Sequence, residues 1–464
     1  MISNRRRFIQ SAMATAVAAR ATSMLGETAE KRPNILLIFA DQLAFDALSC
    51  VIGSKYVHTP NLDALAARGM RFSRAYAANP LCIPSRAAIF SGRYPVETGV
   101  ETNDRPKVDP AEFPCMGTWF RKAGYRTGYF GKWHLAYPEN DVEVTGFEEM
   151  ATKMVDVDTA THAVEFISRK HDAPFFAVAS FLNPHNICEW ARGERLDQGD
   201  IGAPPPAEQC PPLRANHGFQ KDAPEIMTTM REAYHRSRTF PVGNFDDAKW
   251  RQYEWAYYRL IEKMDAQVGR LMQCLEEKNL MKDTLVMFLA DHGDCEGAHH
   301  WNQKTVFYEE SARVPLLMAW PGKVKRGVSD ELVNTGVDLL PTLCEFAGVK
   351  LSSKFPGLSL RGVATGKTHS LHRDFVVASN CLAQGAPVDG VRRRPQGRML
   401  RSDRYKYCMY SEGEHRESLV DLKNDPGEMV NLARDAKYQA VLKDHREKLR
   451  HWGAEFKDDF PYLS

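Results

Sequence analysis

Residues 284–293 read Thr-Leu-Val-Met-Phe-Leu-Ala-Asp-His-Gly. Thr284 to Ala290 is a short apolar run, the length of a strand buried on both faces, and it stops abruptly at Asp291-His292. The pattern recurs at Ile35 to Ala40, which stops at Asp41, and at Pro174 to Phe181, followed by Asn183-Pro184-His185. A weaker run, Tyr125 to Phe130, leads into Gly131-Lys132-Trp133-His134. Between them lie helical patterns at Asn61 to Arg68 and over Asp247 to Lys278. In the longer one, Tyr257, Leu260, Ile261, Met264, Val268 and Leu271 form one apolar stripe. Buried strands alternating with helices predict a mostly parallel sheet covered on both faces. Such sheets bind ligands beyond the carboxyl ends of their strands, and four strand ends here carry Asp, Lys, His or Asp-His.

The bulk numbers agree with this frame. A chain of 464 residues suits one large α/β domain plus a smaller unit. A net charge of +2 excludes a nucleic-acid footprint over the whole chain, although a local basic patch such as Arg392-Arg393-Arg394 could still meet a polyanion or be a solvated turn. No apolar run reaches the roughly 18 residues of a spanning helix, so no membrane span is expected. The ten cysteines contain no CxxC pair, which argues against a zinc knuckle, a thioredoxin-like site or a dense disulfide framework.

At the N-terminus, Asn4-Arg5-Arg6-Arg7-Phe8-Ile9-Gln10 resembles a twin-arginine export motif. An Ala-rich stretch from Ser11 to Ala19 and the small-residue pattern Ala19-Arg20-Ala21 follow. We therefore expect residues 1–31 to be a signal segment, the protein to be periplasmic or extracellular, and the twin-arginine machinery to be a partner. A catalytic domain is expected over 32–368. Within it, the Pro- and Gly-rich stretch from Cys188 to Pro224 reads as a surface excursion. Met399 to Tyr410 and Glu417 to Leu422 read as short strands and Ala436 to Trp452 as a closing helix, giving a small C-terminal α+β subdomain over 369–464.

The strongest local signal is Leu81-Cys82-Ile83-Pro84-Ser85-Arg86. A chance C-x-P-S-R in this length is expected on the order of once per thousand chains. Pro84 suits the first helical position, which would put Cys82 at a helix N-terminus favourable to an anion. Read from these residues alone, Cys82 is an activated nucleophile or redox group beside a guanidinium, or else a buried cysteine before a helix.

With these segments in order, the chain resembles the sulfatase family of the alkaline-phosphatase-like superfamily, over roughly residues 33 to 455. Cys82 stands in the motif whose cysteine a maturation enzyme oxidises to formylglycine. Gly131-Lys132-Trp133-His134, Asp291-His292-Gly293 and Asn302-Gln303-Lys304 resemble further family segments, as do Leu419 to Leu422 and Asn424 to Glu428. The resemblance implies a sulfuric ester hydrolase in which a hydrated aldehyde attacks sulfur through one hydroxyl, and the other then expels sulfate. It implies a divalent cation, calcium or alternatively manganese or another divalent ion, held by Asp41, Gln42, Asp291, His292 and modified Cys82. Lys132 and Lys304 would meet charge growing on the sulfuryl group, Arg86 would orient the nucleophile, His134 would accept a proton and His185 would protonate the leaving alcohol.

Two departures from the family's commonest pattern matter. Gln42 replaces a frequent second Asp, lowering the site's negative charge by one, and His292 stands where Asn is common. The expected substrate is a sulfated saccharide. The alternatives are a phosphonate monoester or phosphodiester hydrolase with the same nucleophile, and a silent sulfated-glycan-binding protein. His299-His300-Trp301 is a candidate for the substrate rim or for a structural loop.

Overall fold

The computed structural model describes residues 31–104, 107–352 and 354–462. The signal segment expected over 1–31 lies outside it but for its last residue. An eight-stranded sheet forms the centre: β1 (Asn34–Asp41), β2 (Met70–Tyr76), β3 (Arg126–Gly131), β4 (Glu149–Ala151), β5 (Phe175–Pro184), β6 (Thr284–Ala290), β7 (Leu316–Ala319) and β8 (Gly327–Asn334). Their order is β4-β3-β5-β1-β6-β7-β2-β8, and β7 alone runs antiparallel to its neighbours. The four runs that end in polar residues are thus four adjacent strands, β3-β5-β1-β6. Register does the rest. Ala40 pairs with Ala290, so Asp41 and Asp291 leave the sheet side by side, while Asp41 faces Pro184 and Gly131 faces Ser180.

Helices cover the sheet: α1 (Pro60–Arg68), α2 (Cys82–Ser91), α3 (Asp156–Ser168), α4 (Asp247–Glu277) and α5 (Thr335–Ala347). The apolar stripe of α4 is fully buried from Tyr257 to Leu271, and Asp246 caps the helix through the Lys249 N–H. Four antiparallel strands, β9 (Phe375–Cys381), β10 (Gln396–Ser402), β11 (Tyr405–Tyr410) and β12 (Glu417–Asp421), build the small second sheet, with α6 (Gln439–Glu455) after it. This sheet leans on the larger one where the chemistry lies. Ser379 N donates to Ala78 O at 2.9 Å, and Asn380 Nδ2 donates to Thr305 O, next to Lys304.

Two expectations change. Helix α2 begins at Cys82 with Leu81 as its cap, so Pro84 is its third residue rather than its first. Its missing N–H still falls in the turn whose donors have no intrahelical partner. The stretch from Cys188 to Pro224 is not wholly a surface excursion. Cys210, Asn216 and His217 are buried, and Arg214 faces Asp46, Glu254, Glu296 and Glu310, which pins the segment to four elements of the body.

Candidate active site

Parallel neighbours in register deliver two carboxylates to one point. Asp41 and Asp291 are fully buried, and their oxygens divide the work. Both Oδ2 atoms face cations: Arg86 Nε lies 2.7 Å from Asp291 Oδ2, while Arg86 Nη2 at 3.2 Å and Lys132 Nζ at 2.5 Å meet Asp41 Oδ2. Both Oδ1 atoms turn toward His292 and Cys82. His292 Nε2 is 3.9 Å from Asp41 Oδ1, 3.6 Å from Asp291 Oδ1 and 3.1 Å from Cys82 Sγ.

Arg86 reaches this position from the first turn and a half of α2, and it is fully buried. Its remaining donors go to Ser180 Oγ at 2.8 Å and Lys132 O at 3.1 Å. The Lys132 carbonyl also accepts from Tyr129 OH and Ser180 Oγ, so the loop after β3 is held at its first residue. Gly293 lets the chain after Asp291 and His292 pass close to the backbone of Glu310: a Cβ there would lie 1.8 Å from the Glu310 carbonyl oxygen. Ser85 Oγ donates to Asp291 O at 2.5 Å, and Asn103 Oδ1 accepts from the Ile83 N–H at 3.1 Å.

The remaining side chains close the site. Lys304 Nζ donates to Gln42 Oε1 at 2.5 Å, and Lys132 Nζ is 4.0 Å from Cys82 Sγ. His134 and His185 each share a hydrogen-bonding contact with the Cys82 thiol and are half-buried, forming the accessible side of the site. The structure therefore brings together Asp41, Cys82, Arg86, Lys132, His134, His185, Asp291, His292 and Lys304. Gln42 joins them through Lys304 and through its N–H, which donates to Asp291 Oδ1 at 3.1 Å.

Electrostatics follow from this crowd of charge. Burial alone would raise the Cys82 thiol, but Lys132, Lys304 and His292 outweigh it and hold it well below the ordinary thiol range. Burial and Cys82 push Asp41 up, and Lys132, His185 and Arg86 bring it below the usual carboxylate range. Burial, then Lys304 and Lys132, depress His185 to about 4.

A divalent cation fits the donor set. Asp41, Cys82, Asp291 and His292 offer atoms that all lie within 4.8 Å of one another. His292 Nδ1 faces Gly293 O at 3.0 Å; donating its proton there leaves Nε2 with a free lone pair facing the group, the tautomer a metal requires. The oxygen of a formylglycine at position 82 would replace the sulfur of the encoded cysteine, making the set harder and better suited to calcium.

Two segments left open between a functional and a structural reading take the structural one. His299 and Trp301 are fully buried, and His299 stacks on Tyr308 at 3.8 Å, so these two residues are core; only His300 is half-exposed. Arg392, Arg393 and Arg394 are exposed, with Arg393 paired to Glu412 and Arg394 to Asp104. Ser180, Asn103 and Asp294, which hold site residues in place, had no signal in the sequence, because each acts on a partner far along the chain.

Comparison with known proteins agrees with the geometry. The chain matches the model of the Sulfatase family over residues 33–349 and that of the N-sulphoglucosamine sulphohydrolase C-terminal region over 297–455. It belongs to the sulfatase family, whose members are sulfuric ester hydrolases. It is 33% identical over 456 residues to a Delta 4,5-hexuronate-2-O-sulfatase of Bacteroides thetaiotaomicron, covering 94% of this chain and 92% of that protein. Among solved structures, it resembles a 2-O GAG sulfatase with a TM-score of 0.80 and 29% identity over 94% of both chains. It also resembles the phosphonate monoester hydrolase of Agrobacterium radiobacter, with a TM-score of 0.72 and 25% identity over 92% of this chain and 96% of that one.

Proposed function

We propose that this sulfatase removes sulfate from saccharide esters, using a formylglycine formed from Cys82 and a divalent cation, calcium in the first instance, held by Asp41, Gln42, Asp291, His292 and residue 82. The observation that carries this reading is the convergence of four ligand atoms within 4.8 Å beside three buried cations, Arg86, Lys132 and Lys304. The saccharide part is supported by the hexuronate-2-O-sulfatase and N-acetylglucosamine-6-O-sulfatase of Bacteroides thetaiotaomicron, 33% and 26% identical to this chain.

Once in place, formylglycine and the cation supply a paired-hydroxyl nucleophile made acidic by nearby positive charge. The protein's own groups do the remainder. Arg86 fixes both carboxylates and so fixes the nucleophile's seat. Lys132 and Lys304 stand where negative charge grows on the sulfuryl oxygens and favour that state over the substrate. His134, in contact with residue 82, takes the proton released there. His185 gives a proton to the departing alcohol. Burial first, and then Lys304 and Lys132, hold its pKa low, and a bound sulfate ester offsets those two charges, raising that pKa toward the range of a working acid.

A second reading, hydrolysis of phosphonate monoesters or phosphodiesters, is favoured by Gln42 and by the likeness to the Agrobacterium enzyme. Export through the twin-arginine route is part of the proposal, on the motif at Arg5-Arg6-Arg7; replacing all three with Lys should leave the precursor in the cytoplasm. The main test is to produce the protein alongside a formylglycine maturation enzyme, identify residue 82 by peptide mass spectrometry, and assay sulfate release from sulfated saccharides. Active enzyme carrying only the unmodified thiol would overturn the mechanism. A fully modified protein that binds such saccharides without releasing sulfate would make it a binding protein.

A further inference from the structure

One fully buried carboxylate beside the site has no role in the chemistry above. Asp294 Oδ2 accepts from Gln42 Nε2 at 2.7 Å and from Tyr253 OH at 3.0 Å, while Oδ1 accepts the N–H groups of Glu296 at 2.8 Å and Gln303 at 3.1 Å. Every neighbour within bonding reach is a donor, and no salt bridge is formed to it among the described residues. Burial raises the pKa of Asp294, and these four donors work against that rise.

The arrangement decides which way Gln42 faces. A glutamine amide turned by 180° keeps nearly the same shape while exchanging its oxygen and nitrogen, so shape alone does not set its direction. An ionised carboxylate only accepts, so the Gln42 NH2 must face Asp294 and Oε1 must face the opposite way, where Lys304 Nζ lies at 2.5 Å. Turned over, Gln42 would present N–H to the Lys304 ammonium, whose charge acts on Cys82, Asp41 and Asp291. Asp294 also holds the N–H of Gln303, the residue before Lys304, so a single carboxylate sets both partners of the Gln42–Lys304 contact.

We propose that Asp294 is a positioning residue that locks the Gln42 amide with its oxygen toward Lys304, the cation beside the Asp41–Cys82–Asp291–His292 group, and thereby tunes the affinity of that group for a divalent cation. The inference rests on reading that group as a cation site. Asp294→Asn places an NH2 against the NH2 of Gln42, so the glutamine turns over. Gln42→Glu in the natural background sets carboxylate against carboxylate. Combining the two restores a donor–acceptor pair: an amide nitrogen at the Oδ2 position of residue 294 donates to the glutamate at position 42, while Oδ1 keeps its backbone donors.

The test is calorimetric titration of chelator-stripped protein with calcium, and then manganese, with the thermal transition of each variant recorded. Asp294→Asn should bind at least about tenfold more weakly than the parent, the range expected for groups that orient metal ligands. The double variant should recover to within about threefold of the parent, a rescue that a merely structural role for Asp294 would not produce. Should Asp294→Asn fail to fold, Gln42→Glu alone decides: it must lose affinity despite adding a negative charge, and tighter binding would overturn the proposal. Parent-like affinity in folded Asp294→Asn, or a folded double variant no better than Asp294→Asn, would do the same. A parent protein that binds neither cation would remove the cation-site reading and this inference with it, an outcome distinct from parent binding that Asp294→Asn leaves unchanged.

Discussion

Arg86 Nε and Asp291 Oδ2 lie 2.7 Å apart, and both side chains are wholly shut off from solvent. The same guanidinium reaches Asp41 Oδ2 at 3.2 Å, so one fork holds two carboxylates from adjacent strands. Removing it leaves two buried anions short of a partner, a change that typically destabilises by about 3–5 kcal/mol. Arg86→Met should therefore lower the urea midpoint substantially, and Arg86→Lys should rescue only part of it, because an ammonium cannot bridge both oxygens. An unchanged midpoint would show that the fork holds no weight in the fold.

Lys304→Ala should damage turnover far more than folding. Its ammonium meets charge that grows toward the transition state, and such a contact is worth about 2.7–4 kcal/mol, a hundred- to thousandfold in rate. Steady-state kinetics on a sulfate ester, with circular dichroism as the folding control, would read it. Near-normal kcat would leave Lys304 with a role in holding Gln42 and none in catalysis.

Stability should fall as pH rises from about 5 to 8, through Glu254. Burial first, and then Asp46, push this carboxyl up to about 7 against the pull of Arg214 and Tyr258. Between its ordinary value and about 7 the folded chain keeps a proton that the unfolded chain releases, so ΔG of unfolding declines with pH across that window, by on the order of 3 kcal/mol if the shift is fully expressed. Glu254→Gln should flatten the difference between urea midpoints at pH 5 and pH 8. The same slope in parent and variant would assign it to other buried carboxyls, Glu296 or Glu310, which share Arg214, or Glu428, which burial pushes up to about 8.

The sulfate preference should be modest. A sulfate monoester and a phosphodiester each carry one negative charge, and Gln42 withholds a charge that would otherwise help to separate substrates. We expect kcat/KM for the sulfate ester to exceed that of a phosphodiester with the same leaving group by at least about tenfold, only about 1.4 kcal/mol in barrier. A faster phosphodiester would make the second reading the correct one.

Much of this was legible before any coordinates. Asp41, Lys132, His185 and Asp291 each follow an apolar run, because a parallel strand buried on both faces must become polar where it leaves the sheet. Four-residue β7, its neighbour β2 and the edge strands β8 and β9 gave no such signal: their runs are too short or too mixed to separate from loop. Asp294 was hidden for another reason. Its partners Gln42 and Tyr253 are remote in sequence, and an aspartate three residues after Asp291 reads as an ordinary loop polar group until those partners are in place.

Cys82 is 1% exposed and Arg86 not at all. Were Cys82 converted to formylglycine as proposed, the maturation enzyme would have to grip the chain around the thiol, and in the finished fold the residues from Cys82 to Ser91 are all covered. The proposed oxidation would therefore have to win a race against the closing of helix α2 onto the sheet, while the segment is still pliable. Yield of the active form becomes a kinetic quantity: slowing synthesis or folding of the first hundred or so residues should raise the modified fraction, and overproduction without matching oxidase should fill the cell with a stable, correctly shaped and inert protein.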